Sequence, residues 1–130
     1  MSKSYRVTEA TYKKAPKSGK CFIVGSEMTN LGKYSRRSLD AARQGDVDST
    51  RSMLGFMKTS LKLIGLCNGK ISKGTEKIQK SVSGILGSLP KKKKSKMTGI
   101  IGKINKVDLQ ITSLALRAGK NCGVPGSILG

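Results

Sequence analysis

The sequence has no histidine and no tryptophan, and its 130 residues include only two phenylalanines, three tyrosines, three cysteines and seven acidic residues. Each shortage closes a class of function. Without histidine, no side chain has an ordinary pKa near neutrality, and acid–base catalysis loses its usual base. The seven carboxylates fall in no paired spacing, so the chain reads as non-enzymatic, with no catalytic residue and no cofactor. Cys21, Cys67 and Cys122 form an odd set without a Cys-x-x-Cys motif. That excludes a cysteine–histidine zinc set and argues against a disulfide framework. They read as thiols in a reducing compartment, with Cys67 buried. So few aromatic rings disfavour the stacking platforms of RRM-like or OB-like single-strand readers.

Long apolar runs are also missing. No stretch approaches the roughly 20 residues that span a bilayer. The opening MSKSYRV lacks the apolar core of a signal peptide, and Ser2 stands where myristoylation requires glycine. The expectation is a chain neither secreted through a signal peptide nor transmembrane, placed in a virion or a reducing intracellular compartment.

Positive charge dominates what remains. Twenty-six Lys and Arg against seven Asp and Glu give a formal charge of +19. On one small domain such charge repels itself unless an anion neutralises it. Nucleic acid and anionic membrane surfaces are the two partners of sufficient size. Twenty of the cations are lysines and six are arginines. Lysine is a flexible point charge, whereas bidentate recognition of bases favours arginine. The balance points to non-specific neutralisation of a backbone.

Along the chain, residues 1–20 read as a basic, disordered N-terminal arm, with Lys13 and Lys14 among its phosphate-binding candidates. Residues 21–120 read as a helical domain and residues 121–130 as a flexible C-terminal tail. The apolar run at 21–24 is expected to tuck against helices, and 25–33 to form a loop. A short helix is predicted over 35–44, with Asp40 paired to Arg36 and Gly45 ending it. A second helix is predicted over 48–67 on Leu54, Met57, Leu61 and Ile64. Met53, Phe56, Leu63 and Cys67 form a second apolar row, a breadth that predicts a central position in a bundle. A third helix, predicted over 72–89 with Ser72 as cap, carries Ile78, Val82, Ile85 and Leu89. A fourth, over 96–118 and ended by Gly119, carries Met97, Ile100, Ile104, Val107, Ile111 and Leu114. The fold class is therefore all-α, a small bundle of about four helices.

Between the last two helices, Pro90 is followed by Lys91, Lys92, Lys93, Lys94 and Lys96. Gly84 and Gly87 before this corner, and Gly99 and Gly102 after it, suggest close helix packing. Cationic rows accompany the apolar stripes: Lys58 and Lys62; Lys73, Lys77 and Lys80; and Lys103, Lys106 and Arg117. Together with the corner lysines these are the candidate anion-binding residues. Residues 90–96 also have the form of a nuclear-import signal.

Near-motifs do not alter this reading. Residues 65–71 are one position short of a phosphate loop and lack its Ser or Thr. The two GxxG phrases have apolar middles inside helical patterns, unlike the clamp of a KH domain. The expected function is a self-assembling, non-specific nucleic-acid-binding protein of coat, nucleocapsid or packaging type. The competing expectation is a peripheral matrix-type or membrane-active protein that binds anionic lipid through basic amphipathic helices.

Overall fold

Apolar and small residues recur in steps of three and four along four segments, and each segment forms a helix. The computed structural model describes residues 17–66 and 69–122. The helices are α1 (Lys17–Arg43), α2 (Val47–Gly65), α3 (Gly69–Ser88) and α4 (Thr98–Cys122). The chain is all-α, as the spacing predicts. Among the described residues the sole extended pairing is an isolated antiparallel bridge between Asp46 and Lys94. Residues 1–16 and 123–130, read from sequence as most of the arm and the tail, lie outside the described residues, as does Cys67.

The first helix is the largest departure from the sequence reading. Instead of a tucked segment, a loop and a short helix, one helix of 27 residues runs from Lys17 to Arg43. Its inward seam is Val24, Met28, Leu31, Ser35, Ser38 and Ala42, all buried. The spacing is regular, but two of the six positions are serines. Ser38 Oγ donates to the Ser35 carbonyl at 2.7 Å, and Ser35 Oγ donates to Asp108 Oδ1 of α4 at 2.8 Å. Small hydroxyls satisfied in this way tolerate burial. Asp40 pairs with Arg43 at 3.9 Å, not with Arg36.

Gly45 ends α1 as expected. It lies at φ +73°, its N–H donates to the Ala42 carbonyl, and the Asp46 N–H donates to the Ala41 carbonyl. This is the paired hydrogen-bond pattern of a Schellman cap. Asp46 then caps α2, accepting the Ser49 N–H at 3.1 Å and the Ser49 hydroxyl at 2.8 Å. Three residues thus turn the chain between two antiparallel neighbours.

Packing follows a ring: α1 lies against α2 and α4, and α3 lies against α2 and α4. Leu54, Met57, Leu61 and Ile64 of α2 meet Ile78, Val82 and Ile85 of α3 and the full α4 seam from Met97 to Leu114 in one core. Helix α2 is therefore one wall of four and not the centre. Its second row explains the difference. Phe56 is 40% exposed and lies on Tyr34 of α1, ring centroids 5.3 Å apart, so it covers an outer edge, whereas Leu63 of the same row is buried.

Three boundaries also shift. Helix α3 starts at Gly69, which places Ser72 inside it; α4 starts at Thr98 and continues past Gly119 to Cys122. The expected glycine packing is corrected as well. A Cβ added at Gly84, Gly87, Gly99 or Gly102 meets nothing within 4 Å, so these glycines face open space. Close approach occurs at Gly65, where a Cβ would lie 2.8 Å from Thr75 Oγ1, so a side chain there requires a local shift between α2 and α3.

Candidate anion-binding interface

Pro90 cannot donate a backbone hydrogen bond and disfavours helix in the residue before it, so α3 stops and the chain enters the lysine run. That run is fastened at both ends and in the middle. Arg51 Nη2 of α2 donates to the Pro90 carbonyl at 3.4 Å. Val47 N–H donates to the Lys93 carbonyl and Ser95 N–H donates to the Gly45 carbonyl, each at 3.0 Å. Met97, 3% exposed, buries its side chain in the core. The corner is thus a short strap laid across the α1–α2 turn rather than a free loop.

All five corner lysines, Lys91, Lys92, Lys93, Lys94 and Lys96, are exposed. Among the described residues none of them forms an ion pair. The carboxylates are occupied elsewhere: Asp40 with Arg43, Asp48 with Arg51 at 3.1 Å, and Asp108 with Ser35. Glu27 is buried and accepts Ser60 Oγ at 2.9 Å. Glu76 is exposed on α3, and Asp46 accepts from Ser49. The Asp46 carboxyl is held below the ordinary value chiefly by the Ser49 N–H, then by the Ser49 hydroxyl, against a desolvation cost, with Lys94 adding the smallest, electrostatic contribution.

Where the strap meets α4 it borders an open cavity of about 570 Å³. Arg43 and Gly45 form one side; Lys94, Ser95, Lys96 and Thr98 form the other. The Ile101 N–H donates to the Met97 carbonyl at 2.8 Å, which makes Met97 the cap position. Its thioether side chain is buried and supplies no capping oxygen. The next N–H groups, of Thr98, Gly99 and Ile100, have no intrahelical acceptor. No acidic residue lies in the first turn of α4 to complement the positive end of the helix. Cations and unsatisfied N–H groups converge there, and an oxyanion is their chemical complement.

The other predicted residues divide by location. Lys103 and Lys106, both exposed, line a second cavity of about 370 Å³ between α3 and α4. Lys73, Lys77 and Lys80 are distributed along α3 and all exposed; on α2 Lys62 is exposed and Lys58 half-buried. Arg117 is exposed near the far end of α4. Lys13 and Lys14 lie outside the described residues. The structure adds Arg43 and Arg51, which sequence reasoning did not place at the corner. Their positions follow from the bridge between residues 45–47 and 93–95, a long-range pairing with no local sequence signal.

No helix among the described residues is long and apolar enough to cross a membrane. Among the same residues, no cluster of His, Cys, Asp or Glu has metal-binding geometry. No family model, no curated protein and no solved structure matches the chain.

Proposed function

We propose that the protein binds nucleic acid without sequence specificity, as a structural protein of coat, nucleocapsid or packaging type that assembles with copies of itself. The observation that carries this reading is the fastened lysine strap beside the uncapped start of α4. Five ammonium groups and three backbone N–H groups suit a run of phosphates, whose charges recur every few ångströms. Predominance of lysine suits backbone neutralisation, and further lysines on α2, α3 and α4 extend the cationic surface around the bundle. A polyanion also relieves the self-repulsion of a chain carrying +19.

Binding to an anionic membrane is the second reading. The apolar stripes that would enter an interface are consumed by the core: Met97, Ile100, Ile104, Val107, Ile111 and Leu114 are all buried. What favours this reading is the pair Leu109 and Leu116, 70% and 62% exposed on the outer side of α4. Two leucines offer far less apolar area than an interfacial helix presents.

The test is the ultraviolet spectrum of protein purified at low and at high salt. With no tryptophan in the chain, bound nucleic acid dominates absorbance at 260 nm. The reading expects a high 260 to 280 nm ratio at low salt that falls after a high-salt wash. A protein-like ratio in both, with flotation on anionic vesicles, transfers the proposal to lipid. The import-signal form of residues 90–96 belongs to the same proposal, with nuclear accumulation of a fusion as its test.

A further inference from the structure

We infer that the groove between α3 and α4 holds one unstacked nucleotide of a single strand, its base inside and its phosphates on Lys103 and Lys106. The inference rests on the nucleic-acid reading above and adds a base-contacting site to it. At about 370 Å³ the groove is at the small end of ligand clefts, which run from about 300 to 1,000 Å³. Ile85 and Val107, both buried in the core, supply an apolar floor. Gly84 forms part of the wall, and because a Cβ there meets nothing within 4 Å, a flat ring has space against the helix backbone.

Besides the two lysines, the polar side chains lining the groove are Ser81, Ser88 and Gln110, which can accept. Ser81 Oγ donates to the Lys77 carbonyl at 3.2 Å and Ser88 Oγ to the Gly84 carbonyl at 2.9 Å, which leaves their lone pairs open. Gln110 Oε1 is buried with no hydrogen-bond partner. A buried unpaired acceptor is costly, so a donor supplied by a ligand would be stabilising. The complement is therefore a flat, largely apolar group that carries N–H donors and is attached to an anion. Every nucleobase carries at least one N–H donor on its pairing edge, and a single strand leaves that edge free. A lipid acyl chain has none, and a phosphate alone leaves the apolar floor and Gln110 unused. The aliphatic floor does not provide aromatic stacking, so the site contributes one base contact and not a platform for several.

The test measures fluorescence anisotropy of the full chain with a short single-stranded oligonucleotide and with an abasic strand of equal length and charge. Wild type is expected to bind the base-bearing strand about fivefold more tightly, the size of one net hydrogen bond. Gly84→Leu fills the groove without changing charge and should abolish that preference, as should Gln110→Leu. Gly84→Ala should keep it, and circular dichroism verifies that each variant is folded. Replacing Lys92 and Lys93 by Gln should weaken both strands equally. Equal binding of the two strands by wild type overturns the inference while leaving the nucleic-acid reading intact. A preference that survives Gly84→Leu in a folded protein overturns it too. Failure to bind either strand overturns both. If Gly84→Leu impairs flotation on anionic vesicles and leaves strand binding unchanged, the groove belongs to lipid and the inference is wrong.

Discussion

Replacing Gly45 by alanine tests whether the α1–α2 turn and the lysine strap form one unit. Two costs add at this position. At φ +73° an L-residue enters the left-handed region, at about 1–2 kcal/mol. The new Cβ would also lie 3.0 Å from the Ser95 carbonyl oxygen, so the strap must give by a few tenths of an ångström. Together they predict a loss of about 1–3 kcal/mol. For a helical region near one hundred residues, each kcal/mol lowers the melting temperature by about 4–8 °C. Far-UV circular dichroism on urea and thermal unfolding reads this change, with the urea slope unaltered. Amide hydrogen exchange at Val47 and Ser95 should quicken, because both N–H groups bond across the pairing that the Cβ disturbs. Gly45→Asn should lose less, since asparagine tolerates the left-handed region and retains only the steric part. An alanine variant more stable than wild type would refute the reasoning. That is the usual result, by about 0.4–1 kcal/mol, where a glycine sits in ordinary backbone geometry.

Other positions in the bundle give three further outcomes. The folded pKa of Asp46 lies below its unfolded value, so its contribution is complete above the ordinary carboxylate value of 3.8 and lost as pH falls through the folded one. Asp46→Asn should therefore show a smaller loss of melting temperature on acidification, and an unchanged acid profile contradicts the assignment. Ser60→Ala removes a hydrogen-bond donor to buried Glu27 and should cost about 1–3 kcal/mol in urea unfolding; a neutral variant would show that Glu27 does not depend on it. Ile104→Ala in the core should cost about 2–5 kcal/mol. Leu109→Gln, on the exposed side of α4, should stay within about 0.5 kcal/mol of wild type. Comparable losses for the two would mean that α4 packs on another face.

Most of the fold is legible where apolar residues mark every inward turn. The α4 seam from Met97 to Leu114 and the α2 stripe from Leu54 to Ile64 are buried as their spacing predicts. The last part of α1 is legible as a helix over 35–44, but the part before it escapes because Gly25, Asn30 and Gly32 resemble loop punctuation, and the serines at 35 and 38 interrupt the apolar seam that would join the two. Hydroxyls that bond to a backbone carbonyl and to Asp108 are compatible with burial, but periodicity of apolar residues cannot register them. Four of the glycines misled for the opposite reason. A small residue on a helix has the same local pattern whether it meets a neighbour, as Gly65 does, or open space, as Gly84 does. At the candidate interface, the exposure of the corner lysines follows from their run after Pro90. Their attachment to residues 45–47, and the company of Arg43 and Arg51, arise from tertiary pairing alone.

The central claim is that the strap presents its lysines together to phosphate. The most direct test is the salt dependence of binding to an oligonucleotide, comparing wild type with a variant in which Lys91, Lys92, Lys93, Lys94 and Lys96 are glutamine. Each phosphate that a lysine no longer neutralises should reduce the slope of log affinity against log salt by about 0.7 to 0.9. Five such phosphates therefore predict a decrease of roughly 3.5 to 4.5. Replacing Lys58, Lys62, Lys73, Lys77 and Lys80 by glutamine changes net charge equally and should lower the slope much less. Equal slopes for the two variants would mean that binding follows total charge and that the strap is not the interface.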